Sequence, residues 1–324
     1  MPHSAVQDAD PQASESFAHD VRCYLALTPR QLPSRYLYDA LGSALFEAIC
    51  ALPWYPITRV ERRLLALHGQ DILAHVPGLA TVAELGPGNG HKITTLLGTP
   101  HGHGNLVVHL IDVSVAALDT ARRALGMGSG LEVVTHPATY EMGLEEVRRA
   151  RNGRGRTLVL LLGSNIGNFD PPGAHIFLKK IRASLVEGDA LLIGVDLVKS
   201  EDRLLLAYDD PLGITAAFNR NLLVRMNREL CADFDIAGFQ HRAVWTARES
   251  RIEMHLVSAR RQRVRVPAAS LEVVFAEGET IWTESSYKYH PHEISELLER
   301  AGFGEVRQWL DEQDGFALTL AEAI

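Results

Sequence analysis

The sequence predicts an α/β protein with a Rossmann-like core and a second, α+β domain. Short apolar runs alternate with amphipathic helical stretches from about residue 81 to residue 196, which is the pattern of βαβ units around a parallel sheet. A glycine-rich segment follows the first of these runs. After Lys199 the pattern changes to one long helical stretch and then to alternating stretches that are typical of antiparallel strands.

The core is predicted from the order of its elements. The apolar runs that predict strands cover residues 81–85, 106–112, 131–135, 157–162 and 190–196. Residues 114–125 and 173–185 carry apolar side chains at three-and-four spacing, as helices that cover a sheet face do. A helix over 291–301 and runs at 305–310 and 316–320 end the chain. Asp314-Gly315 separates the two runs, so we expect an antiparallel hairpin at the sheet edge.

The second domain is predicted from two separate segments. Residues 17–60 are rich in aromatic side chains, and residues 199–288 contain a helical stretch at 212–230 and alternating stretches at 251–257 and 262–266. We expect residues 1–60 and 198–288 to form a substrate-binding domain, with 1–16 as a loose tail. Residues 61–197 and 289–324 would then form the Rossmann-like domain.

Composition excludes several functional classes. A net charge of -8 and scattered basic residues offer little attraction to phosphate backbones, so no nucleic acid partner is expected. Three isolated cysteines without C-x-x-C spacing indicate neither disulfides nor a zinc site. The pairs His101/His103 and His290/His292 lie in no metal-binding motif, so no metal is expected. Without a signal peptide or membrane span, we expect a cytoplasmic protein with no membrane partner.

A candidate cofactor loop lies at residues 82–90, with the sequence VAELGPGNG. Gly86 and Gly88 would let the backbone approach a ligand, and the helix that follows offers unpaired N–H groups. Asp112 ends the next predicted strand, where a carboxylate can hold both hydroxyls of a ribose. Together these features predict a nucleoside-containing ligand.

Glu84 indicates the charge of that ligand. It stands two residues before Gly86, where it would attract a cation such as a sulfonium with its methionine ammonium and repel a pyrophosphate. The spacing G-x-G-x-G also differs from the G-x-G-x-x-G of dinucleotide enzymes. Two alternatives remain: a tight turn with structural glycines, and an NAD-dependent oxidoreductase, for which no hydride-handling residue is evident.

Several unusual strings follow one another along the chain. They are LYDALGS at 37–43, LF at 45–46, Tyr55, LGSNIGN at 162–168, DLVK at 196–199, AYDD at 207–210, TAAFNRN at 215–221, NREL at 227–230, RIEM at 251–254 and TESS at 283–286. With the cofactor loop, these strings resemble the histidine-specific methyltransferases of ergothioneine biosynthesis over most of the chain. That family transfers methyl groups from S-adenosylmethionine to the α-amino group of L-histidine, so the resemblance implies a class I methyltransferase fold and a small amino acid as partner.

The resemblance implies roles for individual residues. For the substrate, it implies a carboxylate anchor of Asn168 and Tyr208, an imidazole site of Glu284 and Ser286, and pocket contacts from Phe46, Tyr55, Gly163 and Met254. Tyr38 would lie beside the amino group and is the candidate catalytic residue. For the cofactor, the candidate residues are Tyr55, Glu84, Gly86, Gly88, Lys92, Asp112, Thr139 and Tyr140.

Thr139 departs from the family pattern. In the family, an acidic residue followed by an aromatic contacts the adenine, and here Thr139-Tyr140 occupies that place. Tyr140 can still stack on the base. The Thr139 hydroxyl is a weaker acceptor for the exocyclic amine than a carboxylate. Reduced cofactor affinity is therefore expected, or, if binding is abolished, a non-catalytic regulator.

Simpler explanations stand beside these assignments. Core packing alone would account for Tyr38, Phe46 or Met254 taken singly, and Asn168 could cap the following segment. Glu284 and Ser286 alternate along one strand face, which could be a ligand site or a solvated edge. Tryptophan, another amine or a thiol-bearing histidine derivative are alternative substrates. We expect a monomer.

Overall fold

The computed structural model describes residues 11–98, 106–126, 131–151, 153 and 155–324. Its helices are α1 (Pro11–Leu25), α2 (Ala40–Ala51), α3 (Ile57–Ala74), α4 (His91–Leu97), α5 (Val115–Gly126), α6 (Tyr140–Ala150), α7 (Pro171–Ala183), α8 (Glu201–Tyr208), α9 (Ile214–Glu229) and α10 (Pro291–Arg300). Its strands are β1 (Arg30–Gln31), β2 (Leu79–Leu85), β3 (Val107–Asp112), β4 (Glu132–Pro137), β5 (Arg156–Leu161), β6 (Ala190–Asp196), β7 (Phe239–Thr246), β8 (Arg251–Ser258), β9 (Gln262–Val266), β10 (Leu271–Phe275), β11 (Thr280–Tyr287), β12 (Phe303–Asp311) and β13 (Phe316–Ala323).

The described residues divide into two compact units. One unit contains the chain up to Tyr55 together with Ser200–Ser286. The other contains Pro56–Lys199 and Tyr287–Ile324. We call them the split unit and the Rossmann-like unit.

The Rossmann-like unit is built on a seven-stranded sheet in the order β12-β13-β6-β5-β2-β3-β4. Strands β2 to β6 pair in parallel, and β13 pairs antiparallel with both β6 and β12. The predicted βαβ order and the closing hairpin are confirmed. The connections from β2 lead towards β3, whereas β5 lies on the other side of β2, so the strand order reverses there. Ligands of such sheets bind outside the carboxyl ends of the strands at this reversal.

The central strands of this sheet are largely apolar, with few polar residues such as Glu84, because helices cover both faces. All seven residues of β6 are buried. One face packs against α7 and α10 in a cluster that includes Phe177, Ile181, Ile294 and Leu298. The core thereby holds the carboxyl ends of β2, β3 and β5 at one edge.

The split unit contains a four-stranded sheet in the order β1-β11-β8-β7 and a two-stranded ribbon of β9 and β10. Strands β7 and β8 pair antiparallel over their full length, with Phe239 opposite Ser258 and Thr246 opposite Arg251. Helix α9 is the predicted long helix of this segment. Its buried residues Phe218, Leu222 and Met226 recur at four-residue spacing and form one apolar face.

Several expected boundaries need correction. The second segment of the split unit covers Ser200–Ser286 rather than residues 198–288. The sequence placed the first domain boundary at residue 60, but α3 begins at Ile57, and Ile57 and Val60 both belong to its buried face. A continuous helix that packs through one face stays in one unit, so the division falls after Tyr55. The loose tail expected over 1–16 is wrong from Pro11 onwards because α1 begins there; residues 1–10 lie outside the described residues.

Across the described part of the chain, no helix combines the length and apolar character needed to cross a bilayer.

Candidate functional site

The glycine-rich loop connects β2 to α4 in the Rossmann-like unit. Gly86 has a φ of +71° and Gly88 a φ of +54°, in the region that glycine adopts without strain. A methyl group on Gly86 would lie 2.7 Å from the Tyr140 hydroxyl and 3.3 Å from Asn165 Nδ2. Side chains from the segments after β4 and β5 therefore close on this loop, and only glycine leaves room between them.

Glu84 lies under the loop on β2 and is completely buried. Neither carboxylate oxygen has a hydrogen-bond partner among the described residues. The pKa of Glu84 is raised to about 8, mainly by burial; the charge of Lys92 lowers it, and the charge of Glu61 contributes to the rise. Because buried carboxylates are normally hydrogen-bonded or paired, this arrangement suits a ligand that brings positive charge.

Asp112 ends β3, which pairs in parallel with β2. Its Oδ1 accepts the N–H of Ser114 at 2.8 Å, which fixes the carboxylate at the strand end. Burial raises the pKa of Asp112, although backbone N–H groups partly offset this effect. A carboxylate has about four acceptor positions, so Asp112 retains the capacity to accept from two ribose hydroxyls.

Thr139 and Tyr140 begin α6. The Thr139 hydroxyl accepts the N–H of Met142 at 3.4 Å as the helix cap. The Tyr140 ring packs against Phe177 with centroids 5.9 Å apart, and its hydroxyl reaches the loop beside Gly86. Burial raises the pKa of Tyr140, and the charges of Asp112 and Glu84 raise it further, so the phenol remains protonated. Tyr140 therefore lies beside the candidate cofactor loop. Thr139 stabilises the start of α6 as its N-cap.

Replacing Thr139 by aspartate is expected to tighten binding of an adenosyl ligand about tenfold. A carboxylate accepts the exocyclic amine more strongly than a hydroxyl, a difference of about 1–2 kcal/mol. Aspartate is also a good N-cap, so α6 should keep its stability. Isothermal titration calorimetry with S-adenosylhomocysteine measures the affinity, and thermal unfolding serves as the control. Unchanged affinity would mean that the side chain at position 139 does not contact the adenine.

The loop after β5 carries two consecutive residues in the left-handed region, Gly163 with φ +79° and Ser164 with φ +59°. The hydroxyl of Ser164 accepts the N–H of Asp196, and the backbone N–H of Ser164 donates to the carbonyl of Gly194. These two hydrogen bonds stabilise the conformation. Such a conformation is costly for a serine and is found mainly at functional sites. A methyl group on Gly163 would lie 2.7 Å from the Lys92 ammonium, so this loop adjoins a predicted cofactor residue.

Asn168 ends the short 3-10 helix Asn165–Asn168 that follows Gly163, and it is exposed. The cap of α7 is Asp170, whose side chain accepts the N–H of Gly173 at 2.9 Å. Asn168 is therefore not the cap of the next helix, and the capping explanation is wrong.

In the split unit, five aromatic rings form a continuous chain of contacts. Tyr38 contacts Phe46 and Phe218 with centroids 5.5 and 5.4 Å apart. Phe46 in turn contacts Tyr55 at 6.3 Å, and Tyr55 contacts Tyr208 at 6.1 Å, each edge to face. Four of these residues come from the predicted site, and Tyr38 is the exposed end of the chain. Aromatic faces arranged in this way can surround a small organic cation.

Tyr38 is held in place by its neighbour in the chain. Asp39 caps α2 by accepting the N–H of Gly42 at 2.7 Å, and it also accepts from Asn221 at 2.7 Å. Arg228 pairs with the same carboxylate at 2.6 Å. Asp39 thus joins α2 to α9, and it connects three of the strings quoted from the sequence, at 37–43, 215–221 and 227–230.

Tyr208 connects the aromatic chain to β11. Its hydroxyl lies 2.8 Å from the hydroxyl of Ser286. Its backbone carbonyl accepts from Nε2 of His241 at 2.8 Å, while Nδ1 of the same ring lies 2.9 Å from Asn219 Nδ2. Burial lowers the pKa of His241, which favours a neutral ring that donates through Nε2. The position of Tyr208 is therefore determined at both its backbone and its hydroxyl.

Glu284 and Ser286 lie on β11, and both are buried, so the solvated-edge explanation is wrong. The indole of Trp282 donates to the carbonyl of Glu284 at 2.9 Å. Met254 is buried on β8, where its carbonyl accepts from the hydroxyl of Thr283. The structure thus places these predicted residues on neighbouring strands of one sheet.

Sequence reasoning missed three residues of these clusters: Glu61, Phe218 and His241. Glu61 was detectable, because it occupies a position on the apolar face of α3 between Val60 and Leu64. A carboxylate on such a face indicates a buried partner. Nothing in the local sequence distinguishes Phe218 from an ordinary core residue or His241 from an exposed one.

No group of three or more potential metal ligands occurs among the residues that the structure describes. His290 caps α10, and His292 stacks beside it. His101 and His103 lie outside the described residues.

Comparisons with known proteins identify a family for the chain. Residues 17–323 match the family of histidine-specific, S-adenosylmethionine-dependent methyltransferases. The chain is 41% identical to the histidine N-alpha-methyltransferase of Mycolicibacterium smegmatis over 95% of both chains. It is 29% identical to ergothioneine biosynthesis protein 1 of Neurospora crassa, covering 87% of this chain and 32% of that protein. It is 26% identical to the L-tryptophan methyltransferase of Psilocybe serbica, covering 89% of this chain and 87% of that one.

The methyl donor of this family fits the residues present. The buried carboxylate of Glu84, which lacks a hydrogen-bond partner among the described residues, can pair with the positive charge of the donor. At Gly86 the protein backbone can come close to the donor, and Asp112 can accept hydrogen bonds from the ribose of the donor. S-adenosylmethionine is the cofactor, and the enzyme is a class I methyltransferase. The extent of the family match and the identity over nearly the whole chain show that this protein belongs to the histidine-specific, S-adenosylmethionine-dependent methyltransferases.

Proposed function

We propose that the protein transfers methyl groups successively to the α-amino group of L-histidine, forming Nα-trimethylhistidine (hercynine) as in ergothioneine biosynthesis. The observation that carries this proposal is the continuous chain from Tyr38 through Phe46, Tyr55 and Tyr208 to Ser286. It joins the residues that the family resemblance assigns to the amino group, the carboxylate and the imidazole. Both the family match and the relative from Mycolicibacterium smegmatis support histidine as the substrate.

On this proposal, the Rossmann-like unit holds the methyl donor. Glu84 and Lys92 provide charges, Gly86 and Gly88 provide the close backbone approach, and Asp112 accepts from the ribose. Thr139 and Tyr140 lie at the adenine. When bound, the donor supplies an electrophilic methyl group on a sulfonium.

The substrate contacts are proposed in the same way. Asn168 and Tyr208 donate to the carboxylate, and the backbone of Gly163 contacts the substrate. Because Glu61 already accepts the Gly163 N–H, the carbonyl is the group that Gly163 can offer. Glu284 and Ser286 hold the imidazole, and Phe46, Tyr55 and Met254 form apolar walls. A carboxylate that accepts from the ring N–H selects histidine over amino acids that lack this donor.

The proposed mechanism depends mainly on positioning. An α-amino group has a reference pKa of about 8, so its proton is lost with little assistance. Tyr38 is exposed at the end of the aromatic chain, where its hydroxyl oxygen would accept a hydrogen bond from the amine and orient the lone pair. The proton that leaves the amine would pass to solvent water, with the Tyr38 hydroxyl donating its own proton to water as it accepts the one from the amine. As methyl groups accumulate, the nitrogen becomes a permanent cation that the faces of Tyr38, Phe46 and Tyr55 stabilise by cation–π attraction. This attraction supports three successive transfers without release.

Replacing Tyr38 by phenylalanine is expected to lower kcat about 100-fold. The ring contacts with Phe46 and Phe218 remain, so the loss reflects the hydroxyl, within the range typical of general acid–base groups. Single-turnover mass spectrometry measures each methyl transfer separately. Leu41→Ala, at an exposed position of α2, is a matched control that should keep wild-type turnover. Normal turnover by Tyr38→Phe would remove Tyr38 from the mechanism.

The test of the function is a panel of the twenty amino acids incubated with the protein and S-adenosylmethionine, with products identified by mass spectrometry. Trimethylhistidine as the only product is the expected result. Methylation of tryptophan, the substrate named for the relative from Psilocybe serbica, would retain the chemistry and contradict the proposed substrate. We also propose a monomer located in the cytoplasm, supported by the isolated cysteines and the small substrate; size-exclusion chromatography tests the first point.

A further inference from the structure

A buried carboxylate on α3 connects two parts of the cofactor site. The side chain of Glu61 is fully buried, and its Oε2 pairs with the Lys92 ammonium at 2.7 Å. Both carboxylate oxygens also accept the N–H of Gly163, at 2.8 and 2.9 Å. Glu61 therefore holds the first turn of α4 and the strained loop after β5 at the same point.

The surrounding backbone leaves space for this carboxylate and for little else. A methyl group on Gly194 would overlap Oε1 of Glu61, and a methyl group on Gly163 would lie 2.7 Å from the Lys92 ammonium. Strand β6, at Gly194, and the loop after β5, at Gly163, thus lack side chains where the ion pair passes. Packing at this density makes the position of Lys92 dependent on Glu61.

Once Glu84 loses its proton, the charges in this region do not balance without a ligand. Lys92 pairs with Glu61, and it also acts on Glu84, which is buried and has no hydrogen-bond partner among the described residues. Glu61 and Glu84 repel each other. When both carboxylates are ionised, one ammonium faces two buried negative charges, and the cost of burial is lowered by any additional cation.

We propose that Glu61 is a positioning residue of the methyl-donor site: it engages Lys92 and the Gly163 amide, and it thereby reserves Glu84 for the positive charge of the donor. This inference rests on the proposed function for the identity of the donor. Under this proposal, the main partner of the Lys92 ammonium is the carboxylate of Glu61. Without Glu61, Lys92 would neutralise Glu84, and the site would lose its preference for a cation.

The variant Glu61→Gln tests this proposal because it keeps an acceptor for the Gly163 N–H and removes the charge. The dissociation constant of S-adenosylmethionine, measured by calorimetry between about pH 6 and pH 9, should rise about 10- to 100-fold, the range of a charge-assisted hydrogen bond. Its pH dependence should also flatten, because Lys92 then lowers the pKa of Glu84. A purely structural role for Glu61 would lower the melting temperature and leave the pH profile unchanged, and that result would overturn the proposal.

Asp189 provides a matched control in the same unit. It is also a fully buried carboxylate that accepts backbone N–H groups, from Thr157 and Val186, and pairs with Arg151. It precedes β6, at the opposite end of the strands from the cofactor loop. Asp189→Asn should lower thermal stability without changing the affinity for the donor or its pH dependence. An equal loss of affinity in both variants would mean that general destabilisation explains the effect, which contradicts the proposal.

If Glu61→Gln does not fold, Lys92→Met tests the same network from the other side. Loss of the ammonium should raise the pKa of Glu84 and shift the pH profile of donor binding to higher pH, and a wild-type profile would overturn the proposal. The wild-type protein, assayed with histidine in parallel, separates the two hypotheses. Donor binding without histidine methylation would contradict the proposed function alone, because the pH profiles test Glu61 independently.

Discussion

Replacing Glu84 by glutamine should weaken the binding of S-adenosylmethionine about 100-fold. The carboxylate is buried and has no hydrogen-bond partner among the described residues, so the cationic donor would supply its missing interactions. Interactions of this charged kind contribute about 1.5–3 kcal/mol. Isothermal titration calorimetry at about pH 8 measures the change. An affinity within twofold of the wild type would show that Glu84 does not face the donor.

The same carboxylate should make donor binding depend on pH in the wild-type protein. Burial and Glu61 raise the pKa of Glu84 to about 8, Lys92 opposes them, and Tyr140 stays protonated beside it. Below that pH the empty site holds a proton, which a cation must displace. The dissociation constant should therefore fall as pH rises towards 8, at most about tenfold per pH unit for one proton, and then level off. Glu84→Gln should lack this dependence.

Donor binding should strengthen as pH rises towards 8, whereas the contribution of Glu84 to the stability of the empty protein should decrease over the same range. Above the ordinary value of 4.5 the unfolded chain has lost the Glu84 proton, whereas the folded protein retains it up to about pH 8. Because the folded state then binds more protons, the contribution of Glu84 to stability decreases as pH rises through this window. Thermal unfolding at several pH values, compared between the wild type and Glu84→Gln, isolates this contribution. A Glu84→Gln variant with the wild-type pH dependence would contradict the assignment.

Replacing Glu284 by alanine should raise the KM for histidine about 100-fold while leaving the donor affinity unchanged. Glu284 is buried on β11, two residues from the Ser286 hydroxyl that contacts Tyr208. Its removal leaves the imidazole N–H of the substrate without an acceptor, at a cost of about 1.5–3 kcal/mol. Steady-state kinetics with histidine, together with calorimetry of the donor, separates the two ligands. Equal losses for both ligands would contradict the assignment to the imidazole.

Glu279→Gln is the matched control for Glu284. Its carboxylate lies just before β11, where it pairs with Arg30 and accepts the N–H of Ala276. This variant should keep the wild-type KM for histidine even if its stability falls. A rise in KM comparable to that of Glu284→Ala would indicate that any lost carboxylate in this segment disturbs the site through folding.

The fold was accessible from sequence where its determinants are local. Strands β2 to β6 were predicted from short apolar runs, which in β5 and β6 reflect burial on both faces. The closing hairpin was predicted because Asp314-Gly315 is a turn signal. Most element ends shifted by one or two residues, as helix and strand ends do, and the last strand extends three residues beyond its predicted end, to Ala323. The boundary near residue 60 was misplaced because no composition change marks the point where α3 begins. Helix α3 belongs to the Rossmann-like unit because of the residues that its buried face packs against.

For the candidate site, the cofactor residues and the substrate residues differ in how far the sequence alone could predict them. The glycines, Glu84 and Asp112 stand at fixed places relative to strand ends, so their chemistry could be inferred from spacing. The substrate residues were identified through the family resemblance, since a single tyrosine or methionine carries no such signal. The capping explanation for Asn168 failed because Asp170, two residues later, has the better position at the start of α7.

By itself, the sequence determined the α/β core, the cofactor loop and the membership of a methyltransferase family, because these depend on periodicity and on motifs within short segments. The tertiary structure alone decided that Glu61 joins Lys92 to Gly163 and that Phe218 completes the aromatic chain. It also decided that His241 holds Tyr208. These contacts join residues far apart in the chain. Polar contacts of this kind are stronger in the protein interior because the dielectric constant is lower there than in water. Only the folded chain specifies which buried charges and rings meet.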